Sequence, residues 1–341
     1  MTSTARRRWS RELTAEVDGI SISPEGPVLV HGYERPPGGK WIDDVIPGKL
    51  GAVDRSSGEV LWMAPCEVGY GRGFGAGIGG LGQAVVLGPS MHGHRMVRMS
   101  IETGELLEAG EIQSFDEALV ATDHCHCLSA RRVCAIDSLT LGEAWEYSRE
   151  GERYHLLARM GDRLLVVYTN MASGRQGVLV LDAETGDFDR IIVPPSLPVV
   201  HGIAATADTF TLLTGELDSI LPVDRLGELA LRIEEIGSGG TRDTLSLATL
   251  RADGESGDPP LWFRVLDTRK VDELPEVSLQ GDSGKLYLER GAFLEVVDAW
   301  TGRELGEWTV PGLDEKIAWQ VMDGAGLLAE ETRVSVFELP A

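Results

Sequence analysis

The sequence predicts an all-β protein, a seven-bladed β-propeller of four-stranded antiparallel blades. Three observations predict this fold: a turn phrase that recurs along the chain, spacings that resolve to about 40–45 residues per unit, and strand-like segments at the two ends that complement each other. We expect a single propeller domain over residues 1–341, with an insertion at about 215–260.

The recurring phrase has the form apolar-x-Asp-x-x-Thr/Ser-Gly and follows alternating apolar residues. Near-copies stand at 52–58 (AVDRSSG), 99–104 (MSIETG), 180–186 (VLDAETG) and 296–302 (VVDAWTG). In the third copy, Asp182 can accept backbone N–H groups inside the turn, and Gly186 can take the positive φ that closes it. Each copy is therefore predicted to be the hairpin turn between strands C and D, the two outer strands of a blade.

The spacing of the turn glycines gives the number of blades. Gly58, Gly104, Gly186 and Gly302 are separated by 46, 82 and 116 residues, and the variant turn DSLTLG at 137–142 divides the middle interval into two ordinary steps. The last interval holds two blades plus an insertion of roughly 30 residues, because a four-stranded blade takes about 40–45 residues. Counting the C strands gives seven blades.

The two ends of the chain predict how the ring closes. The sequence stops at VSVFELPA, which reads as a C strand with no D strand after it. The N-terminal segment RRRWSREL around Trp9 resembles the D strands that carry Trp62, Trp145 and Trp308. We expect the N-terminal strand to pair with the C-terminal blade, because this pairing removes an exposed sheet edge.

The repeat resembles that of the quinoprotein-like (PQQ-repeat-like) β-propellers, Ala-x-Asp-x-x-Thr-Gly-x-x-x-Trp. The segments AVDRSSGEVLW at 52–62 and AIDSLTLGEAW at 135–145 match with one substitution each, and VVDAWTGRELGEW places its Trp two residues late. The resemblance covers nearly the whole chain and implies the fold. Quinone dehydrogenases of that family generally have eight blades, a secretion signal and often an adjacent cysteine pair, so we expect no quinone cofactor here.

Charge and composition exclude several classes of partner and location. The chain has 31 Lys plus Arg against 54 Asp plus Glu, a formal net charge of −23, which repels nucleic acid and anionic membranes. No apolar run approaches the ~20 residues that a membrane-spanning helix needs. The four cysteines form no disulfide framework and no secretory signal opens the sequence, so we expect a cytoplasmic protein.

The candidate site lies on the face of the ring that carries the B–C and D–A connections, here called the top face. The longer B–C connections stand here, at 31–49, 88–95, 168–176 and from Gly215. Five histidines are predicted on this face: His31, His92, His94, His155 and His201. One interpretation is a Zn²⁺ or similar ion held by His92, His94, His155 and His201, with an open position for substrate or water. The alternative is that they are ordinary loop and strand residues.

Other candidate ligand contacts surround the same face. Glycine recurs at every second residue from 69 to 79, which either lets a neighbouring backbone approach closely or widens the axial channel. In a widened channel, Tyr70 and Arg72 are candidate ligand contacts, with Arg72 taking an anionic group. We add His31 and Trp41 as ligand-binding candidates from the first long connection.

Two further segments are ambiguous in sequence. His124-Cys125-His126-Cys127 resembles a soft-metal motif, but a strand sends its histidines to one side and its cysteines to the other. We expect Cys134 to pair near Ala130 rather than with Cys127. Residues 223–236 favour a helix by their apolar stripe, although a strand-like alternation is also present.

No nucleophile motif, H-E-x-x-H or deaminase signature is present in the sequence. The leading interpretation is a non-catalytic binding propeller without a cofactor, whose top face holds a protein, peptide or small-molecule partner. The alternative is a metal-dependent enzyme with a histidine-lined site at the top of the channel. The sequence leaves the choice between binding protein and enzyme open, because propellers serve both.

Overall fold

A computed structural model describes residues 3–22, 26–34, 48–66, 68, 74–90, 93–193, 199–216, 244–266 and 277–339. Within these ranges the secondary structure is β-strand with two short 3-10 helices, Gly80–Gly82 and Leu313–Glu315. The strands are β1 (Ser3–Thr4), β2 (Arg6–Glu12), β3 (Glu16–Ser21), β4 (Val28–Tyr33), β5 (Gly48–Val53), β6 (Val60–Cys66), β7 (Gly75–Ile78), β8 (Ala84–Ser90), β9 (Gly93–Met99), β10 (Leu106–Ile112), β11 (Glu117–Val120), β12 (His124–Ser129), β13 (Arg132–Asp137), β14 (Glu143–Tyr147), β15 (Glu152–Met160), β16 (Arg163–Asn170), β17 (Arg175–Asp182), β18 (Phe188–Ile192), β19 (Val199–Ala205), β20 (Thr209–Glu216), β21 (Thr244–Arg251), β22 (Trp262–Val265), β23 (Val277–Asp282), β24 (Lys285–Arg290), β25 (Phe293–Asp298), β26 (Glu304–Thr309), β27 (Ala318–Met322), β28 (Ala325–Ala329) and β29 (Arg333–Glu338).

The described strands form seven sheets, and consecutive strands pair antiparallel as A, B, C and D from the axis outward. Blades 1 to 6 consist of β3–β6, β7–β10, β11–β14, β15–β18, β19–β22 and β23–β26, and blade 7 consists of β27, β28, β29 and β2. The A strands of neighbouring blades contact each other in ring order, and β27 contacts β3. The predicted seven-bladed propeller is confirmed.

Apolar B and C strands supply most of the core between blades. In β16, Leu164 to Val167 are fully buried because alternate side chains face the blades on either side. A strand covered on both faces reads as a continuous apolar run, which is why these segments lack the polar alternation of the D strands.

The N-terminal strand closes the ring as predicted. β2 pairs antiparallel with β29, with Arg7 opposite Phe337 and Trp9 opposite Val336. An unpredicted feature precedes it: β1 pairs in parallel with β26 of blade 6, so that Ser3 lies opposite Trp308. The first dozen residues therefore join two blades by successive pairings.

The Asp of the recurring phrase organises its own turn. Asp54 Oδ1 accepts hydrogen bonds from the Ser56 and Ser57 backbone N–H groups at 3.0 and 2.7 Å. It also accepts the Ser57 hydroxyl at 2.8 Å. The Ser56 hydroxyl donates to the same oxygen at 2.6 Å. The Ser56 hydroxyl bond and the bonds from Ser57 lower the pKa of Asp54 to about 2. The same pairing of Asp with the Ser or Thr three residues later recurs at Asp137, Asp182 and Asp298.

The Gly of the phrase has a second role, which explains why Trp is part of the repeat. A Cβ on Gly186 would lie 2.5 Å from the Trp145 ring of the preceding blade. That indole donates its N–H to the carbonyl of Ala183 in the same turn, at 3.3 Å. Equivalent contacts join the following Trp and Gly pairs: Trp9 and Gly58, Trp62 and Gly104, and Trp262 and Gly302. Each of these turns is thus a socket for a neighbour's indole.

The one turn of this type with Leu in place of Gly fits the same logic. Blade 3 has Leu141 at this position, with a positive φ of 57°. The D strand of blade 2 carries Glu108 at the position where blades 1, 3, 5 and 7 carry Trp, so no indole from blade 2 occupies the socket. Leu141 packs beside the core between blades 2 and 3 instead. The Leu141 side chain therefore occupies this region in place of the Trp side chain that blade 2 lacks.

This double role predicts that Gly186→Ala is far more costly than an ordinary turn substitution. The new methyl would meet the Trp145 ring and also sit at φ 75°, so we expect a loss of about 3 kcal/mol or more in unfolding free energy. Gly174 in the same blade is the matched control, because its φ is 67° but a Cβ there meets nothing within 4 Å. Gly174→Ala should cost about 1 kcal/mol in the same urea titration. Equal losses would contradict the socket.

Two predictions concern the least regular part of the chain. The sequence allows RVLDTRK at 264–270 to be the C strand of blade 5, or its D strand if TLSLATL at 244–250 is the C strand. Residues 244–250 lie in the C strand β21 and Trp262–Val265 form the D strand, so the second alternative is confirmed for residues 264 and 265. The insertion enters between β20 and β21 as a B–C connection. The proposed helix at 223–236 lies outside the described residues.

Blade 6 holds two buried carboxylates, one facing each neighbour. Glu295 is 2% exposed and pairs with Arg264 of blade 5 and with Arg290, at 2.6 Å from the latter. Glu289 is 1% exposed, accepts the Ser278 hydroxyl at 2.6 Å and pairs with Lys316, in the connection to blade 7. Charged contacts thus cross both faces of this blade.

Candidate functional site

The structure places the described histidines of the prediction at the top face. His31 lies near the end of a B strand, His94 near the start of a C strand, and His155 and His201 near the starts of A strands, and all four ends belong to the same side of the ring. They belong to blades 1, 2, 4 and 5. The other four predicted site residues lie outside the described residues: Trp41, Tyr70, Arg72 and His92.

Sequence reasoning missed the feature that organises this face, a β-bulge in three A strands. The extra residue is Asp18 in β3, His155 in β15 and His201 in β19. A bulge re-aims a side chain and interrupts the ladder, and bulges are frequent beside functional sites. The inner wall of blades 1, 4 and 5 therefore carries a polar bulge residue at equivalent positions.

A local sequence signal for two of the bulges exists. Residues 17–20 read Val-Asp-Gly-Ile and residues 200–203 read Val-His-Gly-Ile, identical except at the bulge residue itself. In each segment the Val and the Ile are three residues apart, with the polar residue and Gly between them. Apolar residues on one face of a regular strand are two residues apart, so this spacing breaks the strand period. Aligning the A strands of the repeat would have revealed them.

In blade 1 the bulge residue binds the buried histidine of the next strand. Asp18 Oδ1 accepts a hydrogen bond from His31 Nδ1, and the carbonyl of Val68 lies 3.3 Å from His31 Nε2. The His31 side chain is fully buried, with its ring centroid 4.2 Å from that of Phe74 in blade 2. Because Asp18 and the Val68 carbonyl are acceptors, the geometry suits a doubly protonated imidazolium.

The protonation of His31 follows from these contacts. Burial alone lowers the pKa of an imidazole, but hydrogen bonds with Asp18 and Cys66 outweigh burial and raise the pKa of His31 to about 9. Protonated His31 thus joins blade 1 to the connection to blade 2 through its contacts with Asp18 and Val68, which we call the His31 staple. This contact gives the predicted ligand-binding residue a structural role.

The His31 staple predicts a pH-dependent stability. Its folded pKa of about 9 exceeds the unfolded value of 6.5, so its contribution is complete below pH 6.5 and is lost as pH rises through 9. We expect up to about 3 kcal/mol of unfolding free energy to disappear over this window, and the loss to be absent in His31→Gln. Urea titrations from pH 6 to 10 measure it. His155→Gln is the control and should keep the wild-type slope; a flat wild-type profile would contradict the assignment.

In blade 4 the bulge residue begins a hydrogen-bond chain into blade 5. His155 Nε2 lies 2.7 Å from the Thr169 hydroxyl, which also accepts the Gln176 amide at 3.2 Å. The Gln176 carbonyl oxygen accepts the backbone N–H of Val200, next to the bulge of blade 5, at 2.8 Å. Burial lowers the pKa of His155, which favours the neutral ring. Thr169 and Gln176 were not predicted.

The bulge histidine of blade 5 lies against a glycine. A Cβ on Gly215 would stand 3.2 Å from His201 Nε2, so the absent side chain leaves room for the ring. Burial lowers the pKa of His201 as it does that of His155. Both histidines are therefore neutral near pH 7, the form that binds metals or accepts hydrogen bonds.

Glu117, at the top of blade 3, is a further residue that sequence reasoning missed. Its carboxylate accepts the backbone N–H of Leu157 in blade 4 at 3.3 Å. Burial raises the pKa of Glu117 to about 7, despite this hydrogen bond. The protonation of this carboxyl therefore changes in the physiological pH range.

Replacing Glu117 by Gln should stabilise the protein above neutral pH. The folded pKa lies above the unfolded value of 4.5, so the acid's favourable contribution is complete below pH 4.5 and lost as pH rises through 7. We expect Glu117→Gln to raise unfolding free energy by about 2 kcal/mol at pH 8 and to have little effect at pH 5. Glu150→Gln, on the exposed connection nearby, should change stability little at either pH. Thermal melts at both values test the difference.

The described histidines do not assemble into a metal site. The His94 ring packs on Phe115, with 4.6 Å between centroids, and lies in a different blade from His155 and His201. Among the residues the structure describes, no group of three or more His, Cys, Asp and Glu is placed to hold a metal ion. Because His92 lies outside those residues, the four-histidine site stays a prediction.

The alternating glycines pack closely rather than widening the channel in their described part. A Cβ on Gly77 would lie 2.7 Å from Val120, and one on Gly75 would lie 3.0 Å from Ala118. Both neighbours belong to the A strand of blade 3. The bare face lets the two A strands approach, which confirms the close-packing alternative for Gly75 and Gly77.

The His-Cys-His-Cys segment forms strand β12 with its alternation as predicted. His126 faces blade 4, where its Nε2 lies 2.8 Å from the Ala183 carbonyl, and burial lowers its pKa to about 4. Cys125 and Cys127 face blade 2. The predicted pairing of Cys134 near Ala130 is wrong, because the hairpin turns at Ala130 and Arg131 and sets Cys134 opposite Cys127.

Similar solved structures include several propellers. BamB from Moraxella catarrhalis is 12% identical with a TM-score of 0.51, covering 99% of this chain and 98% of that chain. The Neurospora crassa Pan2 WD40 domain is 10% identical with a TM-score of 0.60 and coverages of 99% and 98%. U3-55K is 8% identical with a TM-score of 0.63 and coverages of 98% and 100%. Identities this low show the fold alone.

No protein-family model and no curated protein matches the chain. Within the described ranges, no helix is long and apolar enough to cross a bilayer. The top face itself is therefore the basis for a proposed function.

Proposed function

We propose that this chain is a non-catalytic binding propeller of the cytoplasm, whose top face holds a basic protein or peptide. One observation carries the proposal: the two ends of the ring differ. The bottom face is built from short C–D turns whose Asp, Ser and Thr side chains bond to each other and to their own backbone. The top face carries the polar bulge residues and Glu117, whose carboxyl has a raised pKa. The strand ends on either side of the two long B–C segments, Tyr33 and Gly48 and then Glu216 and Thr244, also lie at this face.

The charge of the chain supports the partner class. A net charge of −23 attracts cationic surfaces and steers their approach, without need of any catalytic group. Protein binding by the top face of a rigid ring also fits the elaboration of its connections, because function on such scaffolds concentrates in connecting loops. A small-molecule ligand at the channel mouth is a narrower form of the same proposal. Tyr70, Arg72 and Trp41 are its proposed contacts, and the predicted fourth residue, the buried His31, would act through Asp18.

Charge reversal on matched faces tests the proposal. Tag-free protein would be isolated with its partner at low salt, and the partner's affinity measured for two double variants. Asp116→Lys with Glu150→Lys changes exposed residues of the top face, whereas Glu102→Lys with Glu184→Lys changes exposed residues of bottom turns by the same charge. We expect the top pair alone to weaken binding at least about tenfold, as the loss of desolvated or steering charges does. Equal losses of affinity in the two double variants, or cross-links between the partner and the bottom turns, would contradict the proposal.

The second candidate is a metal-dependent enzyme with His92, His94, His155 and His201 as ligands. The observation that favours it is the equivalence of His155 and His201, two neutral imidazoles on bulges of adjacent blades at one face. Metal analysis of tag-free protein distinguishes the candidates. Stoichiometric zinc that disappears in His155→Ala with His201→Ala would favour the enzyme over the binding protein.

We also propose kinship with the quinoprotein-like propellers, without the quinone. The Trp that completes their repeat phrase is the residue that docks here into the socket of the next blade, as Trp62 does with its N–H 2.8 Å from the Ile101 carbonyl. The absence of bound quinone in purified protein, measured by its absorbance after denaturation, tests the cofactor part of this proposal.

A further inference from the structure

Two cysteines of blade 3 face each other across adjacent strands. Cys127 of β12 and Cys134 of β13 are directly opposite in the antiparallel ladder. Both thiols are free, and each residue is 2% exposed. Directly opposite residues have Cα atoms about 4.5–5.5 Å apart, which lies inside the range of about 4.4–6.8 Å that a disulfide spans.

The surroundings of the pair are those of a reactive dithiol. The Cys127 thiol hydrogen-bonds with Cys134, and this bond, together with the nearby Arg132 guanidinium, lowers the pKa of Cys134 although burial opposes it. The same hydrogen bond and burial raise the pKa of Cys127. Arg132 is held by Glu143 and Glu146 at 3.0 and 2.9 Å, and its side chain is 13% exposed.

Neither of the other two cysteines lies opposite a second cysteine. Cys125 lies on the same face as Cys127 but opposite Ile136, and burial raises its pKa. Cys66 lies at the end of β6 in blade 1, with its thiol 3.6 Å from the Val68 carbonyl. The fold thus singles out one pair among four buried cysteines.

We propose that Cys127 and Cys134 are an oxidisable dithiol, which a peroxide converts to a cross-strand disulfide. Cys134, as thiolate, attacks one peroxide oxygen, the O–O bond breaks, and the other oxygen leaves as water after taking a proton. Cys127 then attacks the resulting sulfenic sulfur, its thiol proton leaves with the hydroxyl as a second water, and the S–S bond forms. The two thiols lose two electrons, and hydrogen peroxide gains them.

The position of the pair gives the oxidant access and links the site to the top face. Cys134 lies two residue pairs from the hairpin turn at Ala130 and Arg131, which is the B–C turn of blade 3. Hairpin ends open locally at low free-energy cost, and hydrogen peroxide is small. The Ala130 carbonyl accepts the backbone N–H of Tyr154 in blade 4 at 3.2 Å. A disulfide would therefore pin a turn that contacts the neighbouring blade.

Peptide mapping after oxidation tests the proposal directly. Trypsin cuts after Arg131 and Arg132, so Cys127 falls in peptide 99–131 and Cys134 in peptide 133–149. Folded protein treated with hydrogen peroxide and then alkylated should lose two of its four free thiols and yield these peptides joined. Dithiothreitol should restore all four thiols. Because the assay uses wild-type protein, it does not depend on any variant folding.

Variants assign the bond and the order of the steps. Cys125→Ser should keep the linked peptides, whereas Cys134→Ser should retain its remaining three thiols under the same oxidant. Arg132→Gln should slow disulfide formation, since it removes the cation beside Cys134. Four free thiols after oxidation of folded protein, a bond that includes Cys66, or a linked peptide that persists in Cys127→Ser would each overturn the proposal.

Discussion

Removal of residues 1–12 is expected to cost at least about 5 kcal/mol of unfolding free energy and to end single-transition unfolding. The deletion removes strand β2, whose backbone bonds to β29 contribute about 1 kcal/mol each. It also removes Trp9, which packs on Gly58 and donates its N–H to the Arg55 carbonyl at 2.9 Å. Loss of a fully buried Trp costs about 3–5 kcal/mol, and the partly buried Trp9 contributes a share of that. Urea titration and calorimetry measure the effect.

Two control experiments test whether the loss comes from strand β2. Removal of residues 1–4 deletes only β1, which has two residues, and should cost about 1 kcal/mol. A synthetic peptide of residues 3–13, added to the protein lacking 1–12, should restore most of the midpoint because the socket and β29 remain. A protein without residues 1–12 that unfolds at the wild-type midpoint would refute the closure.

The second large effect is expected for Glu295→Gln. The amide keeps the shape of the carboxylate but removes its charge, so Arg264 and Arg290 lose the buried carboxylate that both contact. Breaking a buried ion pair on one side costs about 3–5 kcal/mol. We expect a loss of this size in equilibrium urea unfolding at neutral pH.

Glu307→Gln is the matched control for this prediction. Glu307 also approaches Arg290, at 3.8 Å, but its side chain is 25% exposed and makes a longer contact. The control should cost less than about 1 kcal/mol, as ion pairs near solvent do. If Glu295→Gln costs no more than Glu307→Gln, the charge of Glu295 does not hold blades 5 and 6 together.

The fold was predictable because its signals are local and repeated. The Asp, Thr and Gly of the turn phrase act within six residues, and the Trp of four D strands packs on the turn Gly of the next blade. Blade number, strand order and ring closure follow from counting these signals. Strand β1 was missed because two residues in parallel pairing carry no periodic pattern.

The candidate site was less predictable because its features break the patterns used to find strands. Asp18 and His155 stand on bulges, where the period of two fails for one residue. The predicted pairing of Cys134 near Ala130 places the hairpin turn at Arg131 and Arg132, one residue later than in the structure. A shift of the turn by one residue changes the partner of every residue on the strand. The pKa of Glu117 depends on burial between two blades, which no local pattern encodes.

The pairing of β2 with β29 has a consequence for the order of events during synthesis. About 320 residues separate the two strands, so the N-terminal segment leaves the ribosome long before its partner exists. Earlier blades can pack as they emerge, but blade 7 gains its outermost strand only after β29 has been synthesised. Refolding in vitro should therefore show a late step limited by the search for this distant contact.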